Sequence, residues 1–394
     1  MKKQTQAIHL EYERRDAYDS LSVPVYNTLA YEFDNAAVMA EAFTDKIKAP
    51  DYSRVENPTV TNLERRVAAL TDAAHATAFN SGMAAISNTL MALAAQGKNI
   101  VTSKHLFGNT YALLVATLRR FGVKVRLRDL TNIEAVREAI DDDTCCVFLE
   151  ILTNPQLEVA DLKAISEVSH KKNVPLVVDS TVIPFTQFSA KSLGVDIEVV
   201  SSSKYVSGGA TSLGGLVIDY GTPYNGDFAK RLYGEMLFNF GAYMTPQVAY
   251  MQTIGLETLD ARYRVQSSNA LELAKKLRSL PQIKLVNYVG LEDNPYHELA
   301  QRQFGKTAGA MICIDLESKE ACFSFLNNLK LIHRATNLFD NRSLAIHPAS
   351  TIFGAFSESM RKSMDVKDTT IRLSIGLEDV DDLFEDIKQA VDSL

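Results

Sequence analysis

The sequence predicts an α/β fold, a mainly parallel sheet flanked by helices, with a smaller α+β domain at the C-terminus. Three observations predict it. Short, nearly continuous apolar runs recur between Leu63 and Thr258, helical stretches separate them, and beyond residue 257 the strand-like runs become scattered. Strands that are apolar on both faces and alternate with helices belong to parallel sheets covered on both sides. With 394 residues, 46% of them hydrophobic, the chain can bury a core large enough for two domains.

Residues 1–60 are rich in Tyr, Asn and Pro and carry no clear periodicity. We expect an N-terminal arm there that packs on a neighbouring subunit rather than on itself. Residues 61–256 form the large domain. Its strand-like runs are Ile100-Val101, Val123 to Val125, Cys145 to Leu149, Leu176 to Val178 and Ile197 to Val200. Helical spacing predicts helices over Asn62 to Thr71 and Asp161 to Lys172, the latter with Leu162, Ile165 and Val168 on one face. One long helix is expected from Leu256 to Leu280, ended by Pro281. Residues 257–394 form the C-terminal α+β domain, with strands at Met311 to Leu316 and Ile371 to Ile375 and an amphipathic last helix from Val380 to Val391.

Several classes of function are excluded at this level. The net charge is −7, with lysines and arginines scattered among acids, which argues against a nucleic-acid partner. No run approaches 18 apolar residues, so no membrane span is expected. The start, Met1 to Thr5, leads into the charged segment Glu11 to Arg15 without an apolar signal region. Cys145, Cys146, Cys313 and Cys322 show no CxxC spacing and read as buried free thiols of a reducing compartment. The expectation is a soluble, cytoplasmic protein. His75, His105 and His170 read as surface or helix residues, with no metal-ligand spacing.

The chemistry concentrates in Ser201-Ser202-Ser203-Lys204-Tyr205-Val206-Ser207-Gly208-Gly209, which follows the run Val195 to Val200. A second run, Val174 to Val178, ends in Asp179-Ser180-Thr181. In an open α/β sheet, ligands bind beyond the carboxyl ends of the strands, where both Asp179 and Lys204 fall. A strand ending in Asp beside a strand ending in Ser-x-Ser-Lys suits pyridoxal 5'-phosphate (PLP). The lysine supplies a Schiff base, the carboxylate a partner for the pyridinium nitrogen, and the hydroxyls a phosphate site. Four further segments join them: Tyr52 to Thr59 before a helix, Ser81-Gly82-Met83 at a helix start, Glu150 to Pro155 after a strand, and Arg372 to Glu378 in the second domain. A helix N-terminus presents free amides to phosphate.

From Val23 to the C-terminus these motifs resemble the Cys/Met metabolism PLP enzymes, the cystathionine γ-synthase-like family of fold type I transferases. The resemblance implies a seven-stranded sheet in the large domain. It assigns Lys204 as the Schiff-base lysine and Asp179 as the partner of the ring nitrogen. Ser201, Ser203 and the Gly82 and Met83 amides become the phosphate cup, and Asn154 the neighbour of the ring hydroxyl. Tyr52 and Arg54 are implied to reach the phosphate of the neighbouring subunit, making the protein a homo-oligomer, a dimer of dimers. Arg372 is the clamp for the substrate α-carboxylate, a bidentate geometry that lysine does not offer. Ser53, Asn57, Pro58 and His347 are expected to shape structure rather than chemistry, and Glu150 is either an ordinary strand-end acid or a site residue.

The departures from the family pattern bear on the reaction. Phe107-Gly108-Asn109-Thr110 stands where the family has Tyr-Gly-x-Thr. Phe107 can stack on the cofactor but cannot protonate a γ-leaving group, which leaves Lys204, Tyr52 or water as the acid. Ser203 replaces a threonine, and Gly208-Gly209 replaces Gly-His. The glycine-rich Gly208 to Gly215 stretch, Asn337 in Ala335-Thr336-Asn337-Leu338, and Leu344 to Thr351 resemble the sulfhydrylase branch. Asn109 falls where methionine γ-lyases carry cysteine. The resemblance therefore implies γ-replacement on O-acetyl- or O-succinylhomoserine by sulfide or a thiol, through a vinylglycine-type species, with homocysteine as product. Methionine or cystathionine γ-lyase, cystathionine γ-synthase and a non-catalytic protein of this fold are the alternatives.

Overall fold

The computed structural model describes residues 1–10, 16–44 and 46–394; the charged segment Glu11 to Arg15 lies outside the described residues. The large domain is built on seven strands: β1 (His75–Phe79), β2 (Asn99–Thr102), β3 (Lys124–Leu127), β4 (Thr144–Glu150), β5 (Leu176–Asp179), β6 (Ile197–Val200) and β7 (Gly215–Asp219). Their order is β1-β7-β6-β5-β4-β2-β3. The block from β3 to β6 is parallel, whereas β7 runs antiparallel to both β6 and β1.

Alternation along each strand explains why the runs read as continuously apolar. Val147, Leu149, Leu176 and Val178 enter one core, and Cys146, Phe148, Val177, Ile197 and Val199 enter another on the opposite face. Side chains of successive residues point to opposite faces, so a strand buried on both faces needs no polar residue. The first core continues into the C-terminal domain through Leu259, Tyr263, Ile312 and Leu373. That domain carries a second sheet of β8 (Leu285–Asn287), β9 (Met311–Asp315), β10 (His333–Arg334), β11 (Leu344–Ile346) and β12 (Thr370–Ser374), ordered β10-β11-β12-β9-β8. Among the described residues, no helix is long and apolar enough to cross a membrane.

Three expectations change. The single helix from Leu256 to Leu280 is two helices, Pro246–Glu257 and Leu259–Leu277, which meet at Thr258 with φ −105° and ψ 1°. Apolar periodicity runs through the junction and hides it. The break places Gly255, where any Cβ would strike the Val206 carbonyl, and Arg262, which donates to the Tyr205 carbonyl at 2.8 Å, against the segment after Lys204. Secondly, the N-terminal region does not lack packing of its own. Helix Lys3–His9 buries Ala7 in the main core, Lys3 donates to the Phe188 carbonyl at 2.9 Å, and Arg66 donates to the Ala7 carbonyl at 2.7 Å. The open part of residues 1–60 begins later, with Tyr18, Leu21, Leu29, Met39 and Phe43 exposed. Thirdly, His105 is no surface residue but is buried between two carboxylates. His75 is exposed at the start of β1, and His170 ends helix Leu162–His170 with Nε2 2.8 Å from Asp196.

The helix starts follow their caps. Asn57 caps Pro58–Thr71 by accepting from the Thr59 amide, with Pro58 in the first turn, so this helix starts four residues before the expected Asn62. The Asn57 amide also donates to Ser53 Oγ at 2.9 Å and to the Tyr26 carbonyl at 2.8 Å, a loop-shaping role. All four cysteines are free; Cys146, Cys313 and Cys322 are buried and Cys145 partly so.

Candidate active site

β4, β5 and β6 end side by side, and their register sets the site. Glu150 and Asp179 are direct partners across β4 and β5. Thr181 folds back on Asp179, its amide donating to Oδ1 at 2.9 Å, and its Oγ1 accepts from the Ser201 amide at 2.8 Å. One threonine thus ties the carboxylate of β5 to the segment after β6. Sequence reasoning gave Thr181 no role, although an Asp followed two residues later by its own hydrogen-bonded amide is ordinary turn chemistry. Burial raises the Asp179 carboxyl above its usual value, opposed by Thr181. Glu150 is also raised, by burial and by the charge of Asp179, and its Oε1 accepts from the Phe107 amide at 2.5 Å. Glu150 is therefore more than a strand-end acid: it holds the backbone of Phe107.

Helix Gly82–Leu93 points its N-terminus at the same place, capped by Ser81, whose hydroxyl accepts from the Ala84 amide at 3.1 Å. A Cβ at Gly82 would lie 2.6 Å from both Cβ and Oγ of Ser201, so glycine is what lets the Ser201 hydroxyl close on the first free amides. The two predicted serines differ here. Ser203 donates to the Gly214 carbonyl at 3.1 Å and accepts from its amide at 2.9 Å, so it pins the two ends of the loop together. Ser201 is the hydroxyl that lies beside the helix terminus.

Lys204 reaches the C-terminal domain, where its Nζ donates to Asn337 Oδ1 at 2.8 Å. Burial, and then the charge of Arg372, bring its amine down to about 8. Arg372, on β12, is buried and donates to Asn154 Oδ1 at 3.2 Å and to the Thr336 and Asn337 carbonyls at 3.3 and 3.4 Å. Among the described residues its Nε is buried without a partner, and burial lowers the guanidinium to about 10. A cation so placed, with neutral acceptors around it, is suited to an incoming carboxylate. The segment around Lys204 is locked by Tyr205, stacked on Phe339 at 4.1 Å and edge-on to Tyr263 at 5.3 Å. Gly209 has φ +119°, and any Cβ there would enter the Asn341 amide. Asn341 also donates to the Gly208 carbonyl at 3.3 Å, which gives a steric reason for Gly208-Gly209 in place of Gly-His.

Tyr52, Arg54 and His347 stand apart within the chain. Tyr52 is 41% exposed, Arg54 lies over its ring at 5.4 Å, and Arg54 donates to the Phe238 carbonyl at 2.5 Å. His347 is buried, with Nδ1 2.8 Å from Ser350 Oγ and Nε2 2.8 Å from the Asp368 carbonyl, a structural placement.

The remaining groups fit PLP. A glycine-dependent amide and hydroxyl cradle suits its phosphate, and a buried carboxylate at a strand end suits its ring nitrogen. A lysine with a depressed amine value suits its aldehyde. Fold and site together define a PLP-dependent enzyme of fold type I, with PLP as its cofactor. The sequence matches the Cys/Met metabolism PLP-dependent enzymes over residues 4–392, and the chain belongs to that family. It is 37% identical over 394 residues to an L-methionine gamma-lyase of Fusobacterium nucleatum subsp. polymorphum, covering 99% of this chain and 98% of the relative. Identity to an O-acetyl-L-homoserine sulfhydrylase of Corynebacterium glutamicum is 31% over 417 aligned residues, covering 98% and 95%. The crystal structure of a putative O-acetylhomoserine (thiol)-lyase from Campylobacter jejuni, which carries N'-pyridoxyl-lysine-5'-monophosphate, superposes with a TM-score of 0.95 at 35% identity, covering both chains completely.

Proposed function

We propose that the enzyme catalyses γ-replacement on an O-acylated homoserine, with sulfide or a small thiol as nucleophile, giving homocysteine or its thioether. The observation that carries this reading is Phe107. An ester departs as a carboxylate, whose acid titrates near about 4, and needs no proton; a thioether departs as a thiolate, whose acid titrates near about 8.5 and does. Phe107 has an apolar ring where a tyrosine would supply that proton, and Glu150 holds its backbone in place.

When bound, PLP supplies the electron sink that acidifies the substrate Cα–H. Asp179 would hold the ring nitrogen in its protonated form, and Ser201 with the Gly82 and Met83 amides would bind the phosphate. Asn154 would neighbour the ring hydroxyl. Arg372 would receive the α-carboxylate, replacing its long contacts to Asn154, Thr336 and Asn337 with charge-assisted ones. Lys204, with an amine near about 8, is poised to take the Cα proton on its Nζ near neutral pH. Asn337 would release Lys204 and face the substrate. We read the protein as a homo-oligomer in which exposed Tyr52 and half-buried Arg54 serve the neighbouring subunit's phosphate, and four free cysteines support a cytoplasmic location.

A second reading, γ-elimination from methionine or cystathionine, is supported by the 37% identity to an L-methionine gamma-lyase. The experiment that separates them supplies O-acetylhomoserine, O-succinylhomoserine or methionine to PLP-loaded protein, with and without sulfide, for the wild type and Phe107→Tyr. Homocysteine that requires both ester and sulfide supports replacement, and Phe107→Tyr should then raise α-ketobutyrate formation from methionine several-fold. α-Ketobutyrate from methionine as the dominant wild-type product would sink the replacement reading.

A further inference from the structure

His105 is two residues from Phe107, and no step above uses it. It is buried where the large domain meets the C-terminal domain. Its Nδ1 lies 2.5 Å from Glu158 Oε2, in the stretch after β4, and its Nε2 lies 2.8 Å from Asp365 Oδ2, in the turn after helix Glu358–Ser363. A neutral imidazole has one N–H and one lone pair, so it can satisfy only one of two carboxylates. Only imidazolium donates to both, which makes His105 a cationic bridge between domains.

The surrounding segment is built into the same boundary. A Cβ at Gly108 would lie 2.9 Å from the Ile352 carbonyl, and Tyr111 packs edge-on against Phe356 with centroids 5.9 Å apart. Gln156 donates across the boundary to the Met364 carbonyl at 2.7 Å. The charged groups facing the imidazole are Glu158, Asp365 and Lys104, the last reaching Asp365 Oδ2 at 2.7 Å; Tyr296 feels the charges of Glu158 and Asp129. Burial by itself would lower the imidazole value, but the two carboxylates outweigh it and raise it.

We propose that His105 is a positioning residue: as an imidazolium between Glu158 and Asp365 it clamps the two domains and holds the Phe107 segment over the catalytic cleft. The proposal rests on Phe107 forming one wall of that cleft, and not on which γ-substituent the enzyme expels. Because the folded imidazole value is raised, the clamp is complete below the ordinary histidine value and is lost as pH rises through the raised one.

The test is a double-mutant cycle of His105→Gln, Asp365→Asn and the pair. Thermal unfolding is read from about pH 6 to about pH 9, across the imidazole titration, together with kcat and KM for whichever amino-acid substrate the wild type turns over. The wild-type Tm should fall across this range; His105→Gln should remove most of that fall, Asp365→Asn a smaller part because Glu158 still faces the imidazole, and the pair should lose no more than His105→Gln alone. Each variant should lose roughly tenfold in kcat at neutral pH, as a misplaced wall would, with KM changed much less. A His105→Gln protein with the wild-type pH dependence of Tm would refute the imidazolium bridge. A lost pH dependence with kcat unchanged would refute positioning, and both readouts are independent of the choice between sulfhydrylase and lyase.

Discussion

Arg372→Ala makes the sharpest test of the site. The guanidinium belongs to a side chain 3% exposed and, among the described residues, its acceptors at 3.2 to 3.4 Å are neutral, so no carboxylate of the described residues compensates its charge. Truncating one member of a buried, hydrogen-bonded charge pair costs about 2–5 kcal/mol, which corresponds to a rise in KM of roughly 30- to 4,000-fold. Stability should respond quite differently. The three acceptors lose a donor, at about 1–3 kcal/mol, but the fold no longer buries an unpaired cation, and the two effects oppose one another. Tm should therefore move by less than about 5 °C. Lys204 provides a third readout: with Arg372 gone its amine should rise above about 8, burial still keeping it below an ordinary lysine. The assays are steady-state kinetics with the turned-over amino acid, thermal unfolding, and the pH dependence of amine modification. A KM raised less than about tenfold, which is about 1.4 kcal/mol, would refute the carboxylate site. A collapse of Tm would make Arg372 a structural residue instead.

Two further perturbations address the cofactor end. Gly82→Ala forces a Cβ to within 2.6 Å of the Ser201 side chain and 3.0 Å of its Cα; overpacking of this kind costs about 1–3 kcal/mol. Titrating PLP into the apoprotein should show affinity weakened about ten- to hundredfold, and an unchanged affinity would move the phosphate elsewhere. In the wild-type apoprotein, an amine-directed aldehyde should modify one lysine with a midpoint near pH 8, and Lys204→Ala should abolish both this phase and turnover. A midpoint above about pH 10, that of a free lysine, would contradict the buried setting.

What could be read from the sequence is what is local. Asp179 ends one apolar run, and Ser201 and Lys204 follow the end of another, so their place beyond the strand ends follows from pattern. β1 and β7 carry no clear strand pattern: His75 to Phe79 is a short run of mostly small residues, and the run at Gly215 sits directly behind a glycine-rich loop. The missed relationships all join residues distant in sequence. Glu150 holds the Phe107 amide across 43 residues, Asn341 fills the space beside Gly209, and His105 meets Asp365 across 260. A lone histidine in a polar stretch gives no sign that the fold will bury it between two acids. Likewise Ser203 and Ser201 are indistinguishable in a Ser-x-Ser pattern until Gly214 returns to claim one of them.

The reversal of direction between β6 and β7 has an implication for how this enzyme can vary. Antiparallel neighbours need no crossover helix, so the chain from Ser201 to Gly214 connects them with no more than a single 3-10 turn at Tyr205–Ser207. Its ends are immobilised, by Ser203 against Gly214 and by Gly208 against Asn341, whereas Ala210, Thr211 and Leu213 between them are exposed. Residues 210–213 are thus a cassette that can be lengthened or rewritten while the lysine and the strand order stay fixed. That makes it a stretch whose length and composition can vary without displacing Lys204 from the end of β6.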